Sequence, residues 1–217
     1  FTFGLLPNLK KLKQISKKYN LKIISDAACA LGSKFKNKNH TNFTDISIFS
    51  LNGNKSVTAG GGGIISTNNK KTFLKAKSLS TNCKLKDYNY DDIGFNLRMT
   101  NLHASIALAQ LKRFKSIYYN KKRISRIYEK KLSNYEFLPK NSWCKNMLWF
   151  NTIILKSKSH LNRLIKTLNN KKISASFFWK PLHLQKPYKN FKKEKLNFTN
   201  KIWEKILVLP SSSNISD

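Results

Sequence analysis

The stretch from Asp45 to Thr67, DISIFSLNGNKSVTAGGGGIIST, constrains the fold most tightly. Its first part, Ile46 to Leu51, is a short apolar run of the kind that forms a buried strand. A polar turn, Asn52-Gly53-Asn54, comes next, followed by Lys55. Four glycines, Gly60 to Gly63, then lead into a second apolar run at Ile64-Ile65. One lysine thus stands at the end of a strand, between a turn and a glycine-rich loop, which is where open α/β sheets bind ligands. The glycines do not form a phosphate loop, since no G-x-x-x-x-G-K-[ST] is present. They call instead for close backbone packing or a turn with positive φ. Lys55 has two readings. It is one more solvated lysine in a lysine-rich chain, or it is a nucleophile, which needs partial desolvation and freedom to reach a carbonyl carbon.

A second stretch, Leu21 to Ser33 (LKIISDAACALGS), reads as a short strand ending at Asp26 and followed by small residues. A carboxylate there, with small neighbours that admit a flat ring, suits the partner of a pyridinium nitrogen. The same Asp26 also suits the N-cap of a helix beginning at Ala27.

Taken together, IISDAACALGS, DISIFSLNGNKSVTAGGGGIIST, DDIGFNLRMTNLHASIALAQL, FFWKPLHLQKPY and VLPSS resemble, in the same order, the DegT/StrS family of sugar aminotransferases. The resemblance spans nearly the whole chain. It implies an α/β fold of the aspartate-aminotransferase type, with pyridoxal 5'-phosphate (PLP) as cofactor. Lys55 matches the lysine that carries the cofactor as a Schiff base, and Asp26 matches the aspartate that pairs with the pyridine nitrogen. Ser50 matches a serine that binds the cofactor phosphate. Asn96 matches an asparagine that reaches the phosphate in the neighbouring subunit's site, with Arg98 beside it as a substrate-side residue. His183, in PLHLQ, falls where the family places a residue facing the substrate. The NGNK and WKPLHLQ spellings resemble the branch acting on nucleotide-linked 4-keto-6-deoxy sugars. A related dehydratase branch carries histidine in place of the lysine, so Lys55 favours amino transfer.

Some positions depart from the pattern. Cys29 stands beside the ring where many members carry Gln, His or Glu, and Ser176 stands where related sequences often carry Arg. The family's N-terminal part, with a phosphate-binding turn and a ring-stacking aromatic, has no counterpart here, and the chain is expected to be a fragment. The expected division is 1–118 for part of the PLP-binding domain and 119–217 for a small α+β domain.

Charge points elsewhere at first sight. Lys and Arg number 42 against 10 Asp and Glu, a formal net charge of +32. Such a balance suggests a nucleic-acid or anionic-membrane partner. The lysines are spread along the whole chain, though, and Asn and Ile are abundant too, so the charge is read as compositional bias. The three cysteines, Cys29, Cys83 and Cys144, show no C-x-x-C spacing, which argues against zinc or a redox pair and fits a reducing cytoplasm. No apolar run approaches the ~18 residues of a membrane helix.

Along the chain, a helix is expected over 8–19 with Asn8 as its cap, a surface hairpin over 34–40, and a short helix over 71–79. A long polar loop over 80–92 carries Tyr88 and Tyr90. A long helix then starts at Thr100 or Asn101, its apolar stripe of Leu102, Ile106, Ala109, Phe114 and Ile117 serving as core or subunit interface. His103 on it reads as a packed or exposed polar residue. Strands over 147–155, 173–178 and 207–209 and helices over 160–168 and 200–206 complete the second domain. The function expected is amino transfer from a donor, glutamate, to a nucleotide-linked keto sugar for glycan synthesis, by a homodimer when full length. Two other readings stand beside it: a basic nucleic-acid-binding module, and an inactive fragment that pairs with a partner chain.

Overall fold

The computed structural model describes every residue except Lys140 and Asp217. In chain order the elements are α1 (Leu9–Lys18), β1 (Ile24–Asp26), β2 (Lys34–Phe35), β3 (Lys38–Asn39), β4 (Ile46–Ser50), β5 (Gly63–Ser66), α2 (Lys70–Ser80), α3 (Asn101–Lys112), α4 (Phe114–Lys131), β6 (Glu136–Phe137), β7 (Cys144–Lys145), β8 (Asn151–Ile154), α5 (Lys158–Asn170), β9 (Ser176–Phe177), α6 (Asn197–Ile202) and β10 (Ile206–Leu209). They form two compact units, Phe1–Tyr119 with Asn141–Trp149, and Asn120–Lys140 with Phe150–Asp217. The division falls inside α4.

Several elements begin where a short polar side chain can accept from an otherwise orphaned helix amide. Asn8 accepts from Lys11, Asn69 from Thr72, Thr100 from His103 and Ser157 from His160. The long helix expected from Thr100 is two helices, α3 and α4, separated at Arg113. Its apolar stripe divides accordingly. Ile117 is buried and Phe114 packs partly against the core, whereas Leu102, Ile106 and Ala109 are exposed.

In the first unit, β1, β4 and β5 form one sheet in the order β1-β4-β5, with β1 and β4 parallel and β5 antiparallel. One face carries Ser25, Ser47 and Phe49, all buried, against a core of Leu6, Leu9, Ala27, Ala30 and Phe35. The other face presents Ile24, Ile48 and Ile65 to solvent. A smaller sheet, β3-β2-β7, joins the hairpin of β2 and β3 to Cys144 and Lys145. The segment 141–149 thus lies in this unit, and the strand expected over 147–155 is confined to β8.

The second unit is built on a four-stranded antiparallel sheet, β6-β8-β10-β9. Its β10 is buried along its whole length. Leu207 faces Ile153 across the sheet, and Leu161 and Ile165 of α5 close the core on it.

Candidate functional site

Residues from three stretches of the first unit meet at the end of the parallel strand pair. Asp26 ends β1, and it lies in register with Ile48 of the neighbouring β4. Ser50 ends β4, and the turn after it delivers Lys55, whose amide donates to the Asn52 carbonyl at 3.0 Å. The glycine run then re-enters the sheet as β5. It adopts positive φ at Gly60 and Gly62, and a Cβ on Gly63 would lie 2.7 Å from the Phe49 carbonyl oxygen. Both demands the glycines were read as meeting, positive φ and close backbone approach, are therefore present.

Lys55 is half-buried rather than a solvated surface lysine. Its ammonium lies 3.9 Å from the centre of the Trp149 ring, and its Nζ donates to Cys29 Sγ at 3.6 Å. Burial pushes the Cys29 thiol up, and the positive charge of Lys55 pulls it part of the way back. Lys55 opens into a shallow hollow of about 10 Å³, within some 220 Å³ that includes open solvent, and Ser50, Cys29, Ala28, Ser56 and Trp149 help to line it. The Ser56 hydroxyl in this wall is buried with no hydrogen-bond partner. A buried hydroxyl left in that state costs stability unless a water or ligand atom reaches it.

Asp26 is exposed, and its Oδ1 accepts from the Ala28 amide at 3.0 Å. That bond closes a turn next to the small residues of the wall; no helix begins at Ala27, so the helix-cap reading of Asp26 does not hold. The structure therefore brings Lys55, Ser50 and Cys29 into one hollow and sets Asp26 at its strand-end margin. Asn96 and Arg98 are exposed in the loop before α3, where Asn96 bridges to Thr81. His183 belongs to the second unit, on a 3-10 turn over Leu182–Leu184, and its Nε2 bonds with Asn200 Oδ1 at 2.6 Å. His103 bonds with Thr100 through Nδ1 at 2.7 Å and lies close to Gly61, so it packs at the foot of the glycine loop.

Sequence reasoning missed Ser56, Met147 and Trp149, all of which line the hollow. Ser56 was discoverable, because it adjoins the lysine. Met147 and Trp149 were read as the start of a strand in the second domain, and no local pattern ties them to Lys55.

Among the described residues no cluster of three His, Cys, Asp or Glu could hold a metal, and no helix is long and apolar enough to cross a membrane.

The chain is 33% identical over 189 residues to GDP-perosamine synthase of Escherichia coli O157:H7, covering 83% of this chain and 50% of that protein. Its fold matches a DegT DnrJ EryC1 StrS aminotransferase from Brucella abortus with a TM-score of 0.90 at 24% identity, covering 100% of this chain and 59% of the other. It also matches PseC of Helicobacter pylori, an aminotransferase involved in the biosynthesis of pseudoaminic acid, with a TM-score of 0.91 at 23% identity, over 99% of this chain and 61% of that one. The chain thus spans half to about three-fifths of the length of these proteins. The strand-end lysine, the glycine loop and the α/β fold around them accord with the match of residues 2–217 to the family model, and the chain belongs to the DegT/DnrJ/EryC1/StrS aminotransferase family.

Proposed function

We propose that the protein is a PLP-dependent aminotransferase that converts a nucleotide-linked keto-deoxy sugar, with a 4-keto-6-deoxy sugar as the favoured case, to the amino sugar. The amino donor is glutamate. The observation that carries this reading is the half-buried Lys55 amine, held at a strand end in a hollow whose wall includes a buried hydroxyl without a partner.

The residues fit the cofactor. Lys55 supplies the amine that would hold it covalently. Ser50 and Ser56 supply hydroxyls, Ala28 and Cys29 are small side chains beside the lysine, and Asp26 supplies the carboxylate assigned to the ring nitrogen. Bound there, PLP supplies an electron sink for the pair left on a substrate carbon when its proton is removed. Lys55, once its amine is free, takes up and returns that proton at Nζ. Trp149 and Cys29 cover this amine on two sides, and Asp26, at the end of β1, would keep the ring nitrogen protonated.

Asn96 is assigned to the phosphate of a neighbouring subunit's site, and Arg98 and His183 to the sugar nucleotide. These three roles come from the motif resemblance alone, and that of Asn96 requires a homodimer. The setting that fits is a cytoplasmic enzyme supplying amino sugars for surface polysaccharide. The anionic nucleotide of such a substrate is drawn to a chain of this positive charge.

The test is to express the protein at its full natural length, add PLP, reduce with borohydride and map the product by peptide mass. A pyridoxyl group concentrated on Lys55, and lost in Lys55→Ala, is the expected result. Labelling scattered over surface lysines of a folded dimer would overturn the cofactor assignment.

A further inference from the structure

Trp149 has no role in the chemistry described so far. Its indole is 1% exposed. Indole Nε1 donates to the carbonyl of Asn54, the residue immediately before the lysine, at 2.8 Å. The ring meanwhile lies under the Lys55 ammonium, 3.9 Å from its centre. One side chain therefore holds the lysine at two points, its backbone through a hydrogen bond and its amine through the π-face.

The segment that brings Trp149 there is itself fastened. Trp143 Nε1 donates to the Leu6 carbonyl at 3.3 Å, the Met147 amide donates to Ser33 Oγ at 2.8 Å, and β7 pairs with β2. An indole with its N–H engaged and its surface buried has little freedom to turn. The turn Asn52–Asn54, by contrast, is exposed. Without a brace, a flexible lysine on such a turn samples many rotamers, and few of them place Nζ beside Cys29.

We propose that Trp149 is a positioning residue for Lys55. It clamps the Asn54–Lys55 backbone with its N–H and parks the free amine on its ring at the mouth of the hollow. This assignment rests on the reading of Lys55 as the cofactor lysine. It assigns the segment 141–149, which lies far from the lysine in sequence, to the reactive amine. The ammonium rests on a π-face and a thiol rather than on a carboxylate. It is therefore held in place without an ion pair that would have to break before the amine reacts.

The test compares the wild-type chain with Trp149→Phe and Trp149→Leu in two labelling arms, each read by peptide mass with the surface lysines as internal reference. Circular dichroism at the assay temperature establishes that each variant is folded. The first arm uses no cofactor. Trace formaldehyde with a mild borane methylates amines in proportion to their accessibility. Lys55 is expected to react more slowly than the surface lysines in the wild type. Trp149→Leu should raise its relative rate about tenfold, and Trp149→Phe, which keeps a ring face, should stay within about threefold of wild type. A purely structural role for the indole would move both variants in step with their stability. The second arm uses PLP and borohydride. The share of pyridoxyl groups on Lys55 should fall about tenfold in Trp149→Leu and less in Trp149→Phe.

Lys55 methylation unchanged in a folded Trp149→Leu would overturn the assignment. So would a selective PLP capture that this variant leaves intact. A wild-type chain that shows no preference for Lys55 with PLP would overturn the cofactor reading, and the functional part of this assignment with it. If Trp149→Leu does not fold, Trp149→Phe decides: loss of Lys55 protection in that folded variant overturns the role of the ring face.

Discussion

Lys121 offers a test of the second unit in which magnitude and sign follow from one side chain. It lies on α4, is 5% exposed, and its Nζ donates to the Ser211 carbonyl at 2.7 Å. Burial lowers its pKa from 10.5 to about 8. Below about pH 8 the side chain is charged in both the folded and the unfolded chain, and the fold bears the net cost of burying that charge. Between about pH 8 and 10.5 the unfolded chain holds more protons than the folded one, so stability rises with pH. Above that range Lys121 is neutral in both states and the cost has gone. The distance from 10.5 to about 8, at about 1.4 kcal/mol per pH unit, bounds the effect at about 3 kcal/mol, of which about 2 kcal/mol develops between pH 7 and 9.5. Many other lysines and the tyrosines titrate in the same region, so the informative quantity is a difference between two proteins. Urea unfolding of wild type and Lys121→Met, followed by circular dichroism at constant ionic strength from pH 7 to 9.5, measures it. Wild type should gain about 2 kcal/mol on the variant across that window, whatever the offset at pH 7. Stability curves that stay parallel to within about 0.5 kcal/mol would refute the reasoning, because a lysine that titrates normally contributes no such slope.

Three further outcomes are expected. Gly62→Ala places a side chain at φ +84°, with its Cβ 2.7 Å from the end of Met99. It should cost about 1–2 kcal/mol in urea unfolding and weaken PLP capture at Lys55. Alkylation of Cys29 by iodoacetamide should be slow at pH 7 and quicken as pH rises. Lys55→Met should slow it further at every pH, since the ammonium that favours the thiolate is gone; an unchanged rate by mass spectrometry would place Lys55 away from Cys29. Leu161→Ala empties a fully buried position in the core of the second unit and should lower its unfolding free energy by about 2–5 kcal/mol; a loss under 1 kcal/mol would mean the core closes over the gap.

The parts of this protein that were legible in its sequence are those whose causes are local. Helix starts at Asn8 and Thr100 are written in side chains that bond three residues onward. The strand before Lys55 follows from an apolar run, and the glycines after it from positive φ at Gly60 and Gly62 and the close approach of Gly63 to the Phe49 carbonyl. The order of several motifs made the family readable, and with it the placing of Asp26, Ser50, Cys29 and Lys55 near one another. The break at Arg113 and the exposure of Leu102 and Ile106 were not legible, since a helical stripe shows only that a face is apolar and not what covers it.

The tertiary structure alone decided how the lysine is held. Trp149 reaches Asn54 across 95 positions, and Met147 reaches Ser33 across 114. A contact of that span depends on the return of the segment 141–149 to the first unit, where β7 adds to β2. Periodicity and turn chemistry carry the shape of a segment but not its distant partner. That partner is set by which buried surfaces and hydrogen bonds the whole chain can satisfy at once.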